Sequence, residues 1–200
     1  MSKTNKKNRL DVVDKAMNLY WEKGFHGTSM RNLQDVIDMR PGSIYATFGS
    51  KEGLFKEVLQ HYAQQGFENL TAFKISKGSP LQGLKAFVEE AVIASQTCAP
   101  SGMCMLAKTI SELTEENAEL LTQAKLLLKN IELTFATTLE EAQLAGEISQ
   151  NRDTKKLASY LQVQIMGLRN YARINQDEAL IADMIDSIFL TIQQEECLNS

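Results

Sequence analysis

Histidine and cysteine are scarce in this 200-residue sequence, and their scarcity limits the chemistry that the protein can support. There are two histidines and three cysteines, and Cys98, Cys104 and Cys197 stand at spacings that match no zinc motif. His61 follows Glu57 by four residues, but a dinuclear helical site needs a second such pair. We therefore expect no metal and no cofactor. The odd number of cysteines favours a reduced, cytoplasmic protein over a disulfide framework.

Proline and long apolar runs are also lacking. The chain has three prolines, and no apolar run approaches the roughly 20 residues that cross a bilayer. The start of the sequence, MSKTNKKNRL, is basic but has no apolar core of the kind found in secretory signals. We therefore expect no membrane among the partners of this protein.

Helical periodicity is what the sequence does contain. Hydrophobic residues make up 44% of the chain and recur at three- and four-residue spacings, whereas strand-like alternation never exceeds a few residues. This pattern predicts an all-α protein. Turn-forming residues separate the predicted helices, most clearly in the linkers at 76–80 and 97–102.

Charge is unevenly distributed along the chain. Residues 1–56 carry ten basic and six acidic side chains, a net charge of +4, so the remaining residues carry −8 to give the overall −4. A basic N-terminal part on an acidic body is compatible with binding to a polyanion, and equally with a solubilising role.

The stretch MRPGSIYATFGSKEGLF, residues 39–55, interrupts the helical pattern. Pro41 suits the first turn of a short helix, Gly49 ends that helix, and Ser50 caps the next one. An equally short helix precedes it and ends in a turn at Asp38. Two short helices joined by a tight turn describe a helix-turn-helix, whose second helix enters the major groove of DNA.

The composition of this second helix fits such a role. Gly42 and Ser43 are small, so the helix end can approach base edges closely. Arg40 can reach a guanine or a phosphate, and the hydroxyls of Tyr45 and Thr47 can bind phosphates.

The segment GFHGTSMRNLQDVIDMRPGSIYATFGSKEGLF, residues 24–55, resembles the DNA-binding segment of the TetR family of bacterial transcriptional regulators. The family pattern is roughly G-F/Y-x-x-T/S-T/S, a short helix, and then G-x-L/I/F-Y-x-x-F-x-S/T-K-x-x-L. It is met by Gly24-Phe25, Thr28-Ser29, Gly42 to Tyr45, Phe48, Ser50-Lys51 and Leu54-Phe55. The family commonly has glycine in the turn where this chain has Asp38, but aspartate tolerates a left-handed turn better than most residues do.

The resemblance implies a DNA-binding domain over residues 6–66, with the helix-turn-helix at about 29–48, and an effector-binding and dimerisation domain over residues 67–200. It implies DNA contacts by Thr28, Ser29, Arg31, Arg40, Pro41, Gly42, Ser43, Tyr45, Ala46, Thr47 and Lys51. Thr28 and Ser29 are helix caps in the first place. We expect the basic segment Lys3–Arg9 to be a disordered, solvated tail, with entry into the minor groove as the alternative.

The resemblance also implies a homodimer formed through the last two predicted helices, which carry broad apolar stripes. Its two-fold symmetry would place two recognition helices about 34 Å apart, on a palindromic operator in double-stranded DNA. The residues expected at the interface are Leu161, Ile165, Leu168, Ile181, Met184, Ile185 and Ile188.

A small-molecule effector pocket is expected among the middle helices. Its candidate lining residues are Phe67, Phe87, Met103, Met105, Phe135, Tyr160 and Met166, although each of these is more commonly plain core. The sequence reveals no buried group of charges, so we expect the effector to be largely apolar or aromatic.

The expected function is that of a ligand-responsive repressor, in which the effector shifts the long helix 50–75 and so moves the DNA-binding part. A thiol-based sensor of oxidants or electrophiles through Cys98 and Cys104 is an alternative on the same fold. The segment CMLAKTISEL resembles a CLLxNxxxEL stretch of one branch of the family, in which the cysteine is packed, and this favours packing over reactivity. An all-helical enzyme is a weaker alternative, because no catalytic arrangement is evident.

Overall fold

The computed structural model describes the backbone of residues 3–194 and the side chains of residues 9–97 and 99–194. Within that range the chain contains helices and no strand, which confirms the predicted all-α class. The helices are α1 (Lys3–Lys23), α2 (Met30–Ile37), α3 (Pro41–Phe48), α4 (Lys51–Lys77), α5 (Pro80–Glu89), α6 (Ser95–Cys98), α7 (Met105–Glu112), α8 (Ala118–Leu144), α9 (Thr154–Ala172) and α10 (Glu178–Gln193). A π-helical turn, Glu90–Ala94, joins α5 to α6, and a 3-10 turn, Glu115–Asn117, precedes α8.

The chain divides into two compact units. The N-terminal unit comprises Met1–Gln65 and Cys104–Leu128, and the C-terminal unit comprises Gly66–Met103 and Lys129–Ser200. The N-terminal unit therefore contains α1 to α3, and also α7 and the first part of α8. A single boundary at residue 66 would leave α7 and that part of α8 out of this unit. None of the helices in the described part of the chain combines the length and apolar character that crossing a bilayer requires.

The basic segment Lys3–Arg9 belongs to α1, so the expectation of a disordered tail is wrong for this stretch of backbone. Arg9 Nε donates to Glu57 Oε2 at 3.0 Å, and Arg9 Nη1 donates to the Thr47 carbonyl at 3.2 Å. The guanidinium also lies 4.6 Å from the centroid of the Phe48 ring. Arg9 thus holds α1 against the end of α3 and against α4. The side chains of Lys3–Asn8 lie outside the described residues.

Three aromatic rings form the centre of the N-terminal unit. Tyr20 on α1 and Phe25 after it pack against Phe55 on α4, with ring centroids 4.7 Å apart for Tyr20 and Phe55 and 5.0 Å for Phe25 and Phe55. The Tyr20 hydroxyl donates to the Lys51 carbonyl at 3.3 Å. Burial, reinforced by the charge of Glu52, raises the pKa of Tyr20 well above its usual range, so the phenol stays neutral. This cluster fixes the start of α4 to the end of α1.

The C-terminal unit has a core of its own, built from one face each of α5, α8, α9 and α10. Its buried members include Leu84, Val88, Val92, Phe135, Leu139, Leu157, Leu161, Ile165, Ile181, Ile185 and Phe189. Phe87 packs on Phe135 edge to face, with ring centroids 6.0 Å apart. The apolar stripes predicted for these helices are therefore largely used within one chain.

The turn between α2 and α3 depends on a left-handed residue. Asp38 ends α2 with φ 52° and ψ 46°, and its N–H donates to the Gln34 carbonyl. It is the only non-glycine residue with positive φ among the described residues. Aspartate therefore does occupy the left-handed conformation in which the family commonly has glycine.

Replacing Asp38 by valine should lower the free energy of unfolding by about 1–2 kcal/mol, because a β-branched side chain is strongly disfavoured in the left-handed region. Asp38→Gly should not destabilise the protein, because glycine adopts this conformation freely. Urea denaturation followed by circular dichroism measures the free energy of unfolding of both variants. Equal stability of Asp38→Val and the wild type would contradict this role of the turn.

Candidate nucleic-acid interface

Ser29 begins the helix-turn-helix through a reciprocal cap. Its Oγ accepts from the backbone N–H of Asn32 at 3.1 Å, and Asn32 Oδ1 accepts from the backbone N–H of Ser29 at 3.0 Å. This capping box fixes the first turn of α2. The Ser29 side chain is itself exposed. It therefore lies at a helix N-terminus, where partial positive charge favours an anion.

The inner faces of α2 and α3 set the angle between the two helices. Leu33 and Ile37 of α2 and Ile44 and Phe48 of α3 are all buried. Their spacing of four residues places each pair on one side of its helix. The opposite side of α3 is consequently turned away from the core.

The outward side of α3 carries the residues expected to meet DNA. Tyr45 is 49% exposed, which is unusual for a large aromatic residue and puts its hydroxyl at the surface. Arg40 precedes the helix in an extended conformation, with φ −68° and ψ 150°. The structure brings together on the surface Arg31, Arg40, Pro41, Gly42, Ser43, Tyr45, Ala46 and Thr47, all of them exposed.

Thr28 has a different position from the one predicted. Its side chain is 0% exposed, and its hydroxyl donates to the Gly24 carbonyl at 2.7 Å. A fully buried hydroxyl cannot reach a phosphate. The predicted DNA contact by this side chain is therefore corrected to a structural role in closing the loop between α1 and α2.

Lys51 is also turned inward. Its ammonium donates to the Phe25 carbonyl at 2.7 Å and lies 4.2 Å from the centroid of the Phe25 ring. Burial lowers the pKa of Lys51, partly offset by the charges of Glu52 and Glu112. One of the three Lys51 donors is therefore used within the protein. The predicted phosphate contact by Lys51 stays a prediction, and it now rests on the other two donors.

Two residues of α7 that the sequence did not single out hold the end of α1 and the loop between α1 and α2. Glu112 Oε2 accepts from the Phe25 N–H at 3.1 Å, and Glu112 Oε1 accepts from the His26 N–H at 2.7 Å. Gly24 has φ +78°, and a Cβ on it would lie 2.4 Å from Glu112 Oε2. The carboxylate therefore reaches the backbone because residue 24 is glycine.

Lys108, one turn earlier on α7, secures the end of α1. Its ammonium donates to the carbonyls of Trp21 and Glu22 at 2.9 and 2.7 Å. These carbonyls belong to the last turn of α1 and have no partner within the helix. Both residues belong to the segment CMLAKTISEL. Glu112 stands at the glutamate of the similar family stretch CLLxNxxxEL, which was a signal for it, whereas Lys108 stands where that stretch has asparagine.

Glu57 and His61, which stand four residues apart on α4, contact different partners. Glu57 pairs with Arg9, and His61 Nε2 lies 2.6 Å from Asp14 Oδ1. No group of three or more His, Cys, Asp or Glu side chains within the described part of the chain is placed to hold a metal ion.

The residues predicted for a dimer interface lie mainly in the core of the single chain. Leu161, Ile165, Leu168, Ile181, Ile185 and Ile188 are at most 7% exposed, and Met184 is half-buried against that core. A second chain cannot reach side chains buried in this way. The assignment of these six to an interface is therefore wrong, because helical periodicity does not distinguish an inner face from an intermolecular one.

The predicted pocket residues do not form one group. Met105 is buried in the N-terminal unit, whereas Phe67, Phe87, Met103, Phe135, Tyr160 and Met166 belong to the C-terminal unit. Phe135 is plain core, and Phe87 and Tyr160 pack against the same core. One charged side chain of this unit is buried, because Arg169 on α9 is only 6% exposed.

The alternative function, a thiol-based sensor that uses Cys98 and Cys104, stays a prediction. Cys104 is a free, half-buried thiol immediately before α7, and the Tyr62 hydroxyl lies 3.6 Å from its sulfur. The side chain of Cys98 and all of Cys197 lie outside the described residues.

Two short helices joined by a tight turn, the first of them capped by Ser29 and the second with an exposed polar side, form a helix-turn-helix. Two family models match it, "Bacterial regulatory proteins, tetR family" over residues 12–58 and "Tetracyclin repressor-like, C-terminal domain" over residues 80–188. The chain belongs to the TetR family of DNA-binding transcriptional regulators. This confirms the resemblance found in residues 24–55.

Similar proteins cover most of the chain. The transcriptional repressor ComR of Escherichia coli K12 is 29% identical over 166 residues, which are 81% of this chain and 78% of ComR. The uncharacterised regulator YezE of Bacillus subtilis is 24% identical over 176 residues, covering 88% and 91% of the two chains.

Solved structures share the fold. The regulator CifR in complex with 26-bp operator DNA has a TM-score of 0.79 at 23% identity, covering 90% of this chain and 94% of that one. A TetR regulator from Chloroflexus aurantiacus has a TM-score of 0.81 at 21% identity, with coverages of 97% and 98%.

Replacing Lys51 by methionine should lower the free energy of unfolding by about 1 kcal/mol, because it removes the hydrogen bond to the Phe25 carbonyl while keeping the contact with the ring. Lys15→Met is the matched control, since Lys15 makes only an exposed ion pair with Asp11. Its effect should stay within about 0.5 kcal/mol. Chemical denaturation of both variants is the measurement, and a Lys51 variant as stable as the control would refute the anchoring role.

Proposed function

We propose that this protein is a ligand-responsive transcriptional repressor that binds a palindromic operator as a homodimer and leaves it when a small effector binds. The observation that carries the proposal is the exposed polar side of α3, whose opposite side is fixed by buried residues. A short helix held in this way can enter a major groove without rearranging. The relatives point in the same direction, since ComR is named a repressor and CifR was solved bound to operator DNA.

The proposed contacts divide into two kinds. Arg40, Pro41, Gly42 and Ser43 lie at the start of α3 and would face base edges, where a guanidinium pairs with guanine and small residues permit close approach. The phosphate contacts would come from Ser29, Arg31, Tyr45, Thr47 and the two remaining donors of Lys51, with Ala46 beside the groove. These residues fall within the proposed DNA-binding domain, residues 6–66.

The homodimer is proposed to form through the outer side of α9 rather than through its core residues. Val163 is 65% exposed, Met166 is half-buried, and Gly167 and Asn170 are exposed. Their spacing of three and four residues forms one stripe. Nothing lies within 4 Å of a Cβ built on Gly167, so another helix can approach there closely. A two-fold axis would then place the two α3 helices about one DNA turn apart.

The effector is proposed to bind the domain formed by residues 67–200 and to lower the affinity for DNA. A coupling free energy of about 1–3 kcal/mol changes affinity roughly 5- to 150-fold, which suffices to switch a promoter. The protein acts in this account by binding, in the cytoplasm, without catalysis.

Binding to DNA from upstream of its own gene tests the proposal. Fluorescence anisotropy should show affinity for a palindrome there that exceeds the affinity for a scrambled sequence and falls steeply with salt, with a slope of about −0.9 per phosphate contacted. Two chains should bind each palindrome. Tyr45→Phe should weaken binding about tenfold, because a hydrogen bond to a charged phosphate is lost.

Tyr160→Phe serves as the control, since it removes a phenolic hydroxyl from the C-terminal unit and should leave DNA binding unchanged. The thermal stability of Tyr45→Phe should equal that of the wild type, because the Tyr45 side chain is exposed. Equal affinity for palindrome and scrambled DNA, or full affinity in Tyr45→Phe, would refute the proposed interface.

A further inference from the structure

Arg169 on α9 is a buried cation with no counter-charge among the side chains that the structure describes. Its side chain is 6% exposed, its Nε donates to the Gly102 carbonyl at 3.0 Å, and its Nη2 is buried with no hydrogen-bond partner in the described part of the chain. No carboxylate among the described residues forms an ion pair with it.

A buried, unpaired charge is costly, and its persistence calls for an explanation. Such a group destabilises the fold unless an opposite charge compensates it. A second copy of the chain is not a candidate source, because Arg169 is buried within one chain and its Nη2 offers no surface to a partner. A small anion that enters the unit would supply the missing charge.

Gln162 presents a second unpaired group on the same side of α9. Its side chain is 8% exposed, and its Oε1 is buried with no hydrogen-bond partner. Seven residues separate Gln162 from Arg169, which is two helical turns, so both side chains lie on one face about 10 Å apart along the axis. Two polar side chains with unpaired atoms, each more than nine-tenths buried, therefore lie on the same face of α9.

The element that packs against α9 at this level is irregular. The π-helical turn Glu90–Ala94 contacts α9, and π-helical turns recur at functional sites. Just after it, Gln96 Nε2 donates to the carbonyls of Val92 at 3.2 Å and Gly102 at 3.4 Å. The Gly102 carbonyl thus accepts from both Gln96 and Arg169.

A cleft lies beside Gly102. It has a volume of about 480 Å³, and its lining includes Ile93, Gln96, Gly102, Ala172 and Ile181. This volume lies within the range of about 300–1,000 Å³ that is usual for small-molecule pockets. Gly102 lines this cleft, and its carbonyl accepts from Arg169, so one residue borders both the cleft and the buried guanidinium.

We propose that Arg169 is the anion-recognition residue of the effector site, and that the effector is a small organic acid whose carboxylate pairs with the Arg169 guanidinium in place of the Gly102 carbonyl. Gln162 would bind a hydroxyl of the same molecule. A carboxylate fits better than a phosphate ester, because its single charge balances one arginine and its two oxygens match the guanidinium fork. The inference rests on the proposed function and replaces the apolar effector expected from the sequence.

Thermal unfolding of the whole 200-residue chain tests the proposed anion recognition without knowledge of the natural ligand. The probes are benzoate, 4-hydroxybenzoate and octanoate, each compared with its primary amide at equal millimolar concentration, and phenyl phosphate. The carboxylates should raise the melting temperature by at least about 2 °C, and the amides should not. 4-Hydroxybenzoate should act at lower concentration than benzoate, through Gln162.

Substitutions in α9 distinguish a role of Arg169 in effector recognition from a purely structural role. Arg169→Met should lose the preference for carboxylates while melting at or above the wild-type temperature, because an uncompensated charge has been removed. A purely structural arginine would instead lower the melting temperature. Arg169→Lys keeps the charge without the fork and should retain a weaker preference. Lys155→Gln is the control, since Lys155 is an exposed cation of α9 that does not line the cleft, and the preference should survive its loss.

The inference is overturned if no carboxylate stabilises the wild type more than its amide, if phenyl phosphate stabilises it more than benzoate does, or if Arg169→Met keeps the preference. Operator binding by the wild type is measured separately. If the wild type prefers carboxylates but does not bind an operator, the proposed function alone is refuted. If it binds an operator but shows no preference for carboxylates, the effector assignment alone is refuted.

Discussion

The loop between α1 and α2 is the constraint on which the DNA-binding face depends. Its backbone groups are paired by side chains from elsewhere in the N-terminal unit, two N–H groups by Glu112 and the Phe25 carbonyl by Lys51. Backbone groups left without partners in a partly buried loop would cost stability and allow the loop to move. Since this loop leads directly into the capped start of α2, its position decides where α2 and α3 lie.

The local parts of this arrangement could be read from the sequence. Helix periodicity, the cap at Ser50 and the left-handed turn at Asp38 depend on neighbouring residues, and the structure has all three. In the structure the exposed side of α3 lies opposite Ile44 and Phe48, which are buried and stand four residues apart. What could not be read were the long-range pairings, above all Glu112 and Lys108, because they join residues more than 80 positions apart.

The C-terminal unit shows a different limit. A broad apolar stripe is expected both of a helix inside one chain and of a helix shared between two, so Leu161 and Ile185 were assigned to an interface although they are 0% exposed. Arg169 was overlooked for the opposite reason, since an arginine in an amphipathic helix normally lies in solvent. Burial, rather than residue type, identifies it. Its partner Gly102 lies three residues before Met105, where α7 begins, so the chain connects the proposed effector site directly to the helix that anchors the loop.

The central claim is that α7 determines affinity for DNA without touching it. The most direct measurement is the operator affinity of Glu112→Ala, taken at a temperature at which circular dichroism shows the variant folded, beside Glu116→Ala as an exposed glutamate control. The account predicts that Glu112→Ala weakens binding at least about tenfold, which corresponds to about 1.4 kcal/mol, while Glu116→Ala binds like the wild type. Wild-type affinity in a folded Glu112→Ala protein would contradict it.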